Sequence, residues 1–420
     1  MSAVELTSVV QFPEDNIQDV TQDVAQENMG ESEAPKYDLK PIKSFDKMGL
    51  PHHLLRGIYG YGFESPSDIQ SLGIVPIKEG LDVLAQAQSG TGKTGTFTIG
   101  ALSRIDPSLP QVQALILAPV RELAQQIAYV AKELSAHAKI KVYAATGGTP
   151  CREDIAAIKN GAQLIVGTPG RIYDLMSRGA LSRQYMRILV LDEADQLLAD
   201  RFKDQFIEIM KLGFPETMRV ALFSATMPPN VVEFTESFLQ DPVRILIPKE
   251  EVTLAGIKQY VVDCRKEDWK FEVLCDLYQQ LNINTAIVYC NSRKRAEWLA
   301  QKMKENRFTL ECIHGEMDVI ERKKRMDDFR KGSVRVLIST DMLARGIDVQ
   351  QVSLVINYEM PVQRENYIHR IGRCGRYGKK GMAINLVIED EMRAMEEIQN
   401  YYATTIVPLP EDLSVLAAGP

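Results

Sequence analysis

Cysteine is scarce in this chain: six in 420 residues (Cys151, Cys264, Cys275, Cys290, Cys312, Cys374), scattered and without a C-x-x-C pair. That pattern excludes a disulfide framework and a thiolate zinc site, and fits reduced thiols in the cytosol or nucleus. No apolar run approaches the roughly 18 residues that a membrane helix needs. The opening MSAVELTSVV has no basic region followed by an apolar run, so no secretory signal is expected. Nor is there a basic excess, since the net charge is −7. Taken whole, that argues against a polyanionic partner.

The distribution of charge reverses this reading. Nine of the 56 acidic residues but only two of the 49 basic ones fall within residues 1–40, so the rest of the chain is balanced. The first forty residues also lack sustained periodicity and are rich in Gln, Asn, Glu and Asp, the composition of a disordered, solvating or regulatory tail. Any nucleic-acid surface on the body must then be local.

The length calls for two or three domains. From Phe45 onward, short apolar runs alternate with longer helical patterns. The runs DVLAQA (82–87), ALILAP (114–119), QLIVGTP (163–169), RILVLDEAD (187–195) and VALFSAT (220–226) each end in polar or turn residues. Segments such as RELAQQIAYVAKEL (121–134) lie between them. This rhythm predicts an α/β fold, a parallel sheet flanked by helices, with ligand residues at the carboxyl ends of its strands. It stops near IPKEEVTLAGIKQ (247–259) and resumes with TAIVYCNS, TLECIHG, VRVLIST, VSLVINY and GMAINLV. The expected layout is an acidic tail (1–40), a first domain (41–247), a linker (248–258), a second domain of the same architecture (259–408) and a short C-terminal tail (409–420). One nucleotide loop in a degenerate repeat suggests a composite site in a cleft between two tandem domains.

Gly90, Gly92, Lys93 and Thr94 stand where an apolar strand gives way to a helix. Backbone N–H groups and the helix start would hold a phosphate there. Lys93 would neutralise its charge, and the Thr94 hydroxyl would reach Mg²⁺. Asp192 and Glu193 close the strand ILVL about a hundred residues later, as a Walker-B pair should. Asp192 is placed to hold Mg²⁺ through water and Glu193 to orient or deprotonate the attacking water. The expected ligands are therefore a nucleotide and Mg²⁺.

AQSGTGKT (Ala87–Thr94) together with D-E-A-D (192–195) resembles the DEAD-box RNA helicases of superfamily 2, whose loop reads A-x-x-G-x-G-K-T. That family has a fold of two tandem RecA-like domains. The resemblance runs from Phe45 to about Tyr402. It implies that the nucleotide is ATP, with contacts from Ser89, Gly90, Thr91, Gly92, Lys93 and Thr94. GFESPSDIQ (62–70) resembles the family's Q motif, which implies nucleotide contacts from Phe63 and Ser65 and adenine recognition by Gln70. A side-chain amide can donate to N7 and accept from the exocyclic amine. S-A-T resembles the motif that links the ATP site to the RNA face, with Ser224 and Thr226, and His369 is assigned to the same coupling. APVRELA, GG and TPGR resemble the RNA-backbone motifs of the first domain, implying contacts from Arg121, Gly148, Thr168, Gly170 and Arg171. CNSRKR, HGEM and STDMLARGID imply Asn291, Arg293, Gly315 and Thr340 in the second, and place Asp348 on the ribose. HRIGRCGRYGKKG resembles the arginine motif, with Arg373 and Arg376 directed to the γ-phosphate.

Stretches outside these motifs, among them KEDWKFEVLCDLY and RENYIHRIGRCGRYGKKG, are similar to the initiation factor 4A branch and its exon-junction relative, without separating the two. Val120 stands where the family has threonine, Arg201 where it has glycine, and Cys374 at a position that is usually small. The reading is an ATP-dependent RNA helicase, a cytoplasmic monomer with a stimulating or scaffolding protein partner. A static ATP-dependent RNA clamp within a ribonucleoprotein assembly is the alternative, and it shares every motif.

Overall fold

The structure, a computed structural model, describes residues 39–88, 90–245, 256–281, 285–344, 352–374, 381–410 and 412–413, without the side chains of residues 200 and 201. The chain divides into two compact units, with the change at residues 246–247. The first unit contains β1 (Val83–Gln86), β2 (Ala114–Leu117), β3 (Val142–Ala145), β4 (Leu164–Gly167), β5 (Ile188–Asp192), β6 (Arg219–Ser224) and β7 (Val243–Ile245). They form one sheet in the order β3-β4-β2-β5-β6-β1-β7, parallel throughout. The second unit contains β8 (Ile257–Asp263), β9 (Ala286–Tyr289), β10 (Glu311–Ile313), β11 (Val336–Ser339), β12 (Leu354–Asn357), β13 (Gly381–Val387) and β14 (Val407–Pro408). Its order, β10-β11-β9-β12-β13-β8-β14, repeats the first sheet strand for strand.

Every residue of β2, β4 and β5 is buried, and so is every residue of β9, β11 and β12. Helices cover parallel sheets on both faces, so the central strands read as unbroken apolar runs rather than as alternating ones. The covering helices are one-sided. In Arg121–Leu134, Leu123, Ile127, Val130 and Leu134 face the core at helical spacing, while Tyr129 stays 60% exposed. Each such aliphatic side chain contributes about 1.5–3 kcal/mol on burial. Among the described residues no helix is long and apolar enough to cross a membrane.

Four strands fall outside the runs picked out above. β3 (VYAA) is short and half-buried at two positions, β7 has three residues, and β14 has two. β8 (IKQYVVD) begins inside the stretch expected to be linker, because its first two residues, Ile257 and Lys258, are not buried and continue a polar stretch of sequence. The tail residues 1–38 and most of the expected linker lie outside the described residues.

Candidate functional site

In a parallel sheet all strands end on one edge, so the loops after them share a surface. The nucleotide loop follows β1 and leads into the helix Lys93–Ser103. Gly90 and Gly92 take φ values of 85° and 106°, which side-chain-bearing residues rarely adopt. The helix start carries N–H groups without intrahelical partners and a positive dipole end, the ingredients of an anion site. Lys93 is 7% exposed, and its Nζ is buried without a hydrogen-bond partner among the described residues. A buried unpaired ammonium is costly, so this position fits an anion held against it.

The helix Asp68–Glu79 brings Gln70 to the same loop. Its Oε1 accepts from the Ser67 N–H at 3.0 Å, and its Nε2 donates to the Gly92 carbonyl at 3.5 Å. That leaves one N–H and one lone pair, the pair that an adenine edge requires. A Cβ at Gly95 would lie 2.7 Å from Gln70 Nε2 and 3.2 Å from the Phe63 ring, so both side chains press against the phosphate-loop helix. Phe63 is half-buried and stacks on the fully buried Phe45, with centroids 6.4 Å apart. Ser65 is exposed, and Ser89 lies outside the described residues.

Asp192 ends β5 and is 3% exposed. Burial, then the neighbouring Glu193 charge, push its carboxyl up to about 7, against the pull of Lys93 and of the Glu193 N–H that donates to it at 3.0 Å. Glu193 sits at φ 52°, a left-handed conformation unusual for a residue with a side chain, and starts the helix Ala194–Leu197. Asp195 was not singled out in the sequence, yet it joins two of its motifs. It accepts from Ser224 Oγ at 2.6 Å and from Thr226 Oγ1 at 2.7 Å, while Gln86 Nε2 donates to the Ala225 carbonyl at 3.3 Å. Its signal was its place in the D-E-A-D run, three residues after Asp192. Adjacent buried carboxylates with an ammonium beside them suit a divalent cation, which would stabilise their ionised form.

The raised carboxyl has a consequence for stability. A carboxyl whose folded pKa lies above its unfolded value favours folding at low pH, and that advantage is lost as pH rises through about 7. Asp192→Asn should therefore raise the melting temperature of nucleotide-free protein at pH 8, with the gain vanishing toward pH 4. Thermal melts across that range check it, and a gain independent of pH would contradict the raised pKa.

The motifs assigned to RNA occupy the other half of the same edge. Arg121 starts its helix after β2, Gly147–Gly148 turn after β3, and Thr168–Arg171 follow β4. Gly147, Gly148 and Gly170 are exposed, with Gly148 at φ 81°. Thr168 is half-buried at the helix start. Val120 takes the N-cap position of the Arg121 helix and supplies no side-chain cap. Arg121 is only 8% exposed. The Arg171 guanidinium is paired with buried Asp154 and donates to the Thr149 carbonyl at 2.7 Å, so it braces a loop instead of projecting outward.

In the second unit, Asn291 and Arg293 follow β9, Gly315 follows β10, and Thr340 follows β11, again on one edge. Gly315 is exposed and Thr340 half-buried. Arg293 is about half exposed and pairs with Glu297 and Glu316. Asn291 is exposed, and its side chain is tied to the fold: Nδ2 donates to the Met360 carbonyl at 2.8 Å, and Oδ1 accepts from Arg370 at 2.7 Å. Arg370, fully buried and unassigned in the sequence, also donates to Asp341, Asn357 and the Glu359 carbonyl. It ties together the loops after β9, β11 and β12. His369 and Arg373 are each 1% exposed, and Arg373 Nε donates to the His369 carbonyl at 3.2 Å. Cys374 is buried, its thiol pushed up to about 12 by desolvation. Asp348 and Arg376 lie outside the described residues, as does the side chain of Arg201.

Comparison with known proteins extends these observations. Residues 67–234 match the family model for DEAD/DEAH box helicases, and residues 269–378 match the helicase conserved C-terminal domain. The chain is 53% identical to the ATP-dependent RNA helicase eIF4A of Mycosarcoma maydis, over 89% of this chain and 91% of that one. It is 52% identical to eukaryotic initiation factor 4A of Caenorhabditis elegans, over 89% and 93%. Among solved structures it is similar to S. cerevisiae Dbp5 bound to RNA and ADP BeF3, at 37% identity and TM-score 0.83 over 89% of this chain and 97% of that chain. It is also similar to Mss116p bound to single-stranded RNA and AMP-PNP, at 26% identity and TM-score 0.80 over 92% and 83%.

Proposed function

The chain belongs to the DEAD-box helicase family, in its initiation factor 4A branch, and on that premise we propose how its residues serve an ATP-dependent RNA helicase acting in translation initiation. The observation that carries the reading is the division of one strand-end edge. Loops after β1, β5 and β6 bear the phosphate loop, the paired carboxylates and the S-A-T hydroxyls, whereas β2 leads to Arg121, β3 to the exposed turn Gly147–Gly148, and β4 to exposed Gly170 at a helix start.

The phosphates of ATP lie against Lys93 and the backbone of Gly90–Thr94, and Gln70 and Phe63 hold the adenine. Thr94 and Asp192 would hold Mg²⁺, and the ion would supply neutralising charge to the phosphates. Glu193 takes or orients the proton of the attacking water. Asp195 carries a change at the carboxylate strand to Ser224 and Thr226. Glycine turns bring backbone N–H groups close to phosphate oxygens without reading bases, so RNA is gripped by its backbone. Arg373 and Arg376 serve phosphoryl transfer, and Asp348 contacts the ribose. The protein acts as a cytoplasmic monomer with a protein partner.

ATP turnover measured with RNA, with DNA and without nucleic acid tests this. RNA should stimulate turnover at least tenfold and DNA should not; equal stimulation by both would overturn the RNA assignment. With a non-hydrolysable analogue bound, log affinity for single-stranded RNA should fall with log salt at roughly −0.7 per phosphate contact. Unstructured RNAs of equal length should differ less than about tenfold, as backbone recognition requires.

A further inference from the structure

Resting on the reading that the first unit's glycine turns hold RNA, we propose that Asp154 is a positioning residue for RNA, acting through Arg171 to fix the turn Thr146–Thr149. An arginine on a phosphate-gripping edge is expected to reach into solvent. Arg171 does not: its side chain is 11% exposed and faces Asp154, whose own side chain is 0% exposed. The same guanidinium donates to the Thr149 carbonyl at 2.7 Å and reaches Thr149 Oγ1 at 3.4 Å. Thr149 Oγ1 in turn bonds the Thr146 carbonyl at 2.9 Å, closing the turn that displays Gly147 and Gly148. The second oxygen of Asp154 accepts from Tyr143 of β3 at 3.0 Å. Burial and that carboxylate push the Tyr143 phenol up to about 12, so it remains a donor at working pH.

Asp154 lies in the helix Cys151–Lys159 and belongs to none of the motifs assigned to RNA. Its charge holds Arg171 in place, and Arg171 holds the turn from behind. A backbone N–H grips a phosphate well only when its direction is set beforehand, and a loose turn loses that ordering on binding. A planar fork with several donors can make this brace, whereas a lysine ammonium presents a single point charge.

RNA-stimulated ATP turnover of the full-length protein tests the assignment. Asp154→Asn should raise the KM for RNA about tenfold, leave kcat at saturating RNA within twofold, and leave nucleotide affinity unchanged. Arg171→Lys, which keeps the charge but not the fork, should raise the KM similarly. The double variant should be no worse than either single one. A KM within threefold of wild type in folded Asp154→Asn would overturn the proposal. So would a loss confined to kcat, or a double variant whose effects multiply. Should Asp154→Asn melt below the assay temperature, Arg171→Lys decides alone, and a KM within threefold overturns the proposal. A wild-type protein that RNA does not stimulate would sink the underlying RNA reading as well, an outcome distinct from all of these.

Discussion

Lys93→Ala should bring ATP turnover down by about 10³-fold or more and weaken nucleotide binding, while the protein stays folded. The side chain sits 7% exposed at the first position of its helix, with Nζ buried and unpartnered among the described residues. In so dry a setting an ammonium against phosphate is worth far more than in water, and removing one such preorganised donor typically costs 10²–10³ in rate. Loss of binding adds to that, because the charge acts on the ground state too. Folding should be spared, since the substitution removes a buried unpaired charge and alanine is a strong helix former. Turnover and nucleotide titration, with a melting curve alongside, check it. Turnover within threefold of wild type would mean that the phosphates bind elsewhere.

Glu193→Gln should separate hydrolysis from binding. Expected is a loss of roughly 10²–10⁴ in turnover, the contribution of a positioned general base, with nucleotide affinity retained. Glutamine keeps the shape and so the unusual φ of 52° at the end of β5, but it cannot take a proton. It also removes a charge that pushes Asp192 upward, so the remaining carboxylate ionises more readily and cation binding should not suffer. ATP then stays bound and unhydrolysed, so RNA should remain attached longer than to wild type when ATP is present. Single-turnover hydrolysis beside RNA release rates reads both. A variant that loses nucleotide affinity as severely as Lys93→Ala would assign Glu193 to binding instead of chemistry.

Much of the site could be read without coordinates because its chemistry is local in sequence. A strand, a glycine turn and a helix start occupy consecutive residues, so Gly90 to Thr94 carry their own geometry. The same holds for Asp192 and Glu193 at a strand end. The runs that became β1, β2, β4, β5 and β6 were legible because strands buried on both faces are continuously apolar. β3 and β7, the edges of the first sheet, escaped because they are short, and β8, which lies between β13 and β14, escaped because its start continues a polar stretch.

Residues that act through others were not legible. Asp154, Asp195 and Arg370 hold Arg171, Ser224 with Thr226, and Asn291 respectively. The partners in those bonds lie between 17 and 79 positions apart, and no spacing rule spans such intervals. A motif reports residue type and not direction, so the bonds that Asn291 and Arg171 make within the fold were not legible.

The sequence by itself determined two α/β units, a nucleotide loop with its carboxylates, and an acidic tail ahead of a charge-balanced body. Periodicity, turn chemistry and net charge are properties of neighbouring residues, so they survive without a fold. Only the tertiary structure decided that the second sheet repeats the first strand for strand, that Gln70 and Phe63 lie against Gly95, and that Arg171 faces inward. Strand order and side-chain direction are set by which apolar faces pack together, and a buried charge must turn to whichever opposite charge that packing brings near.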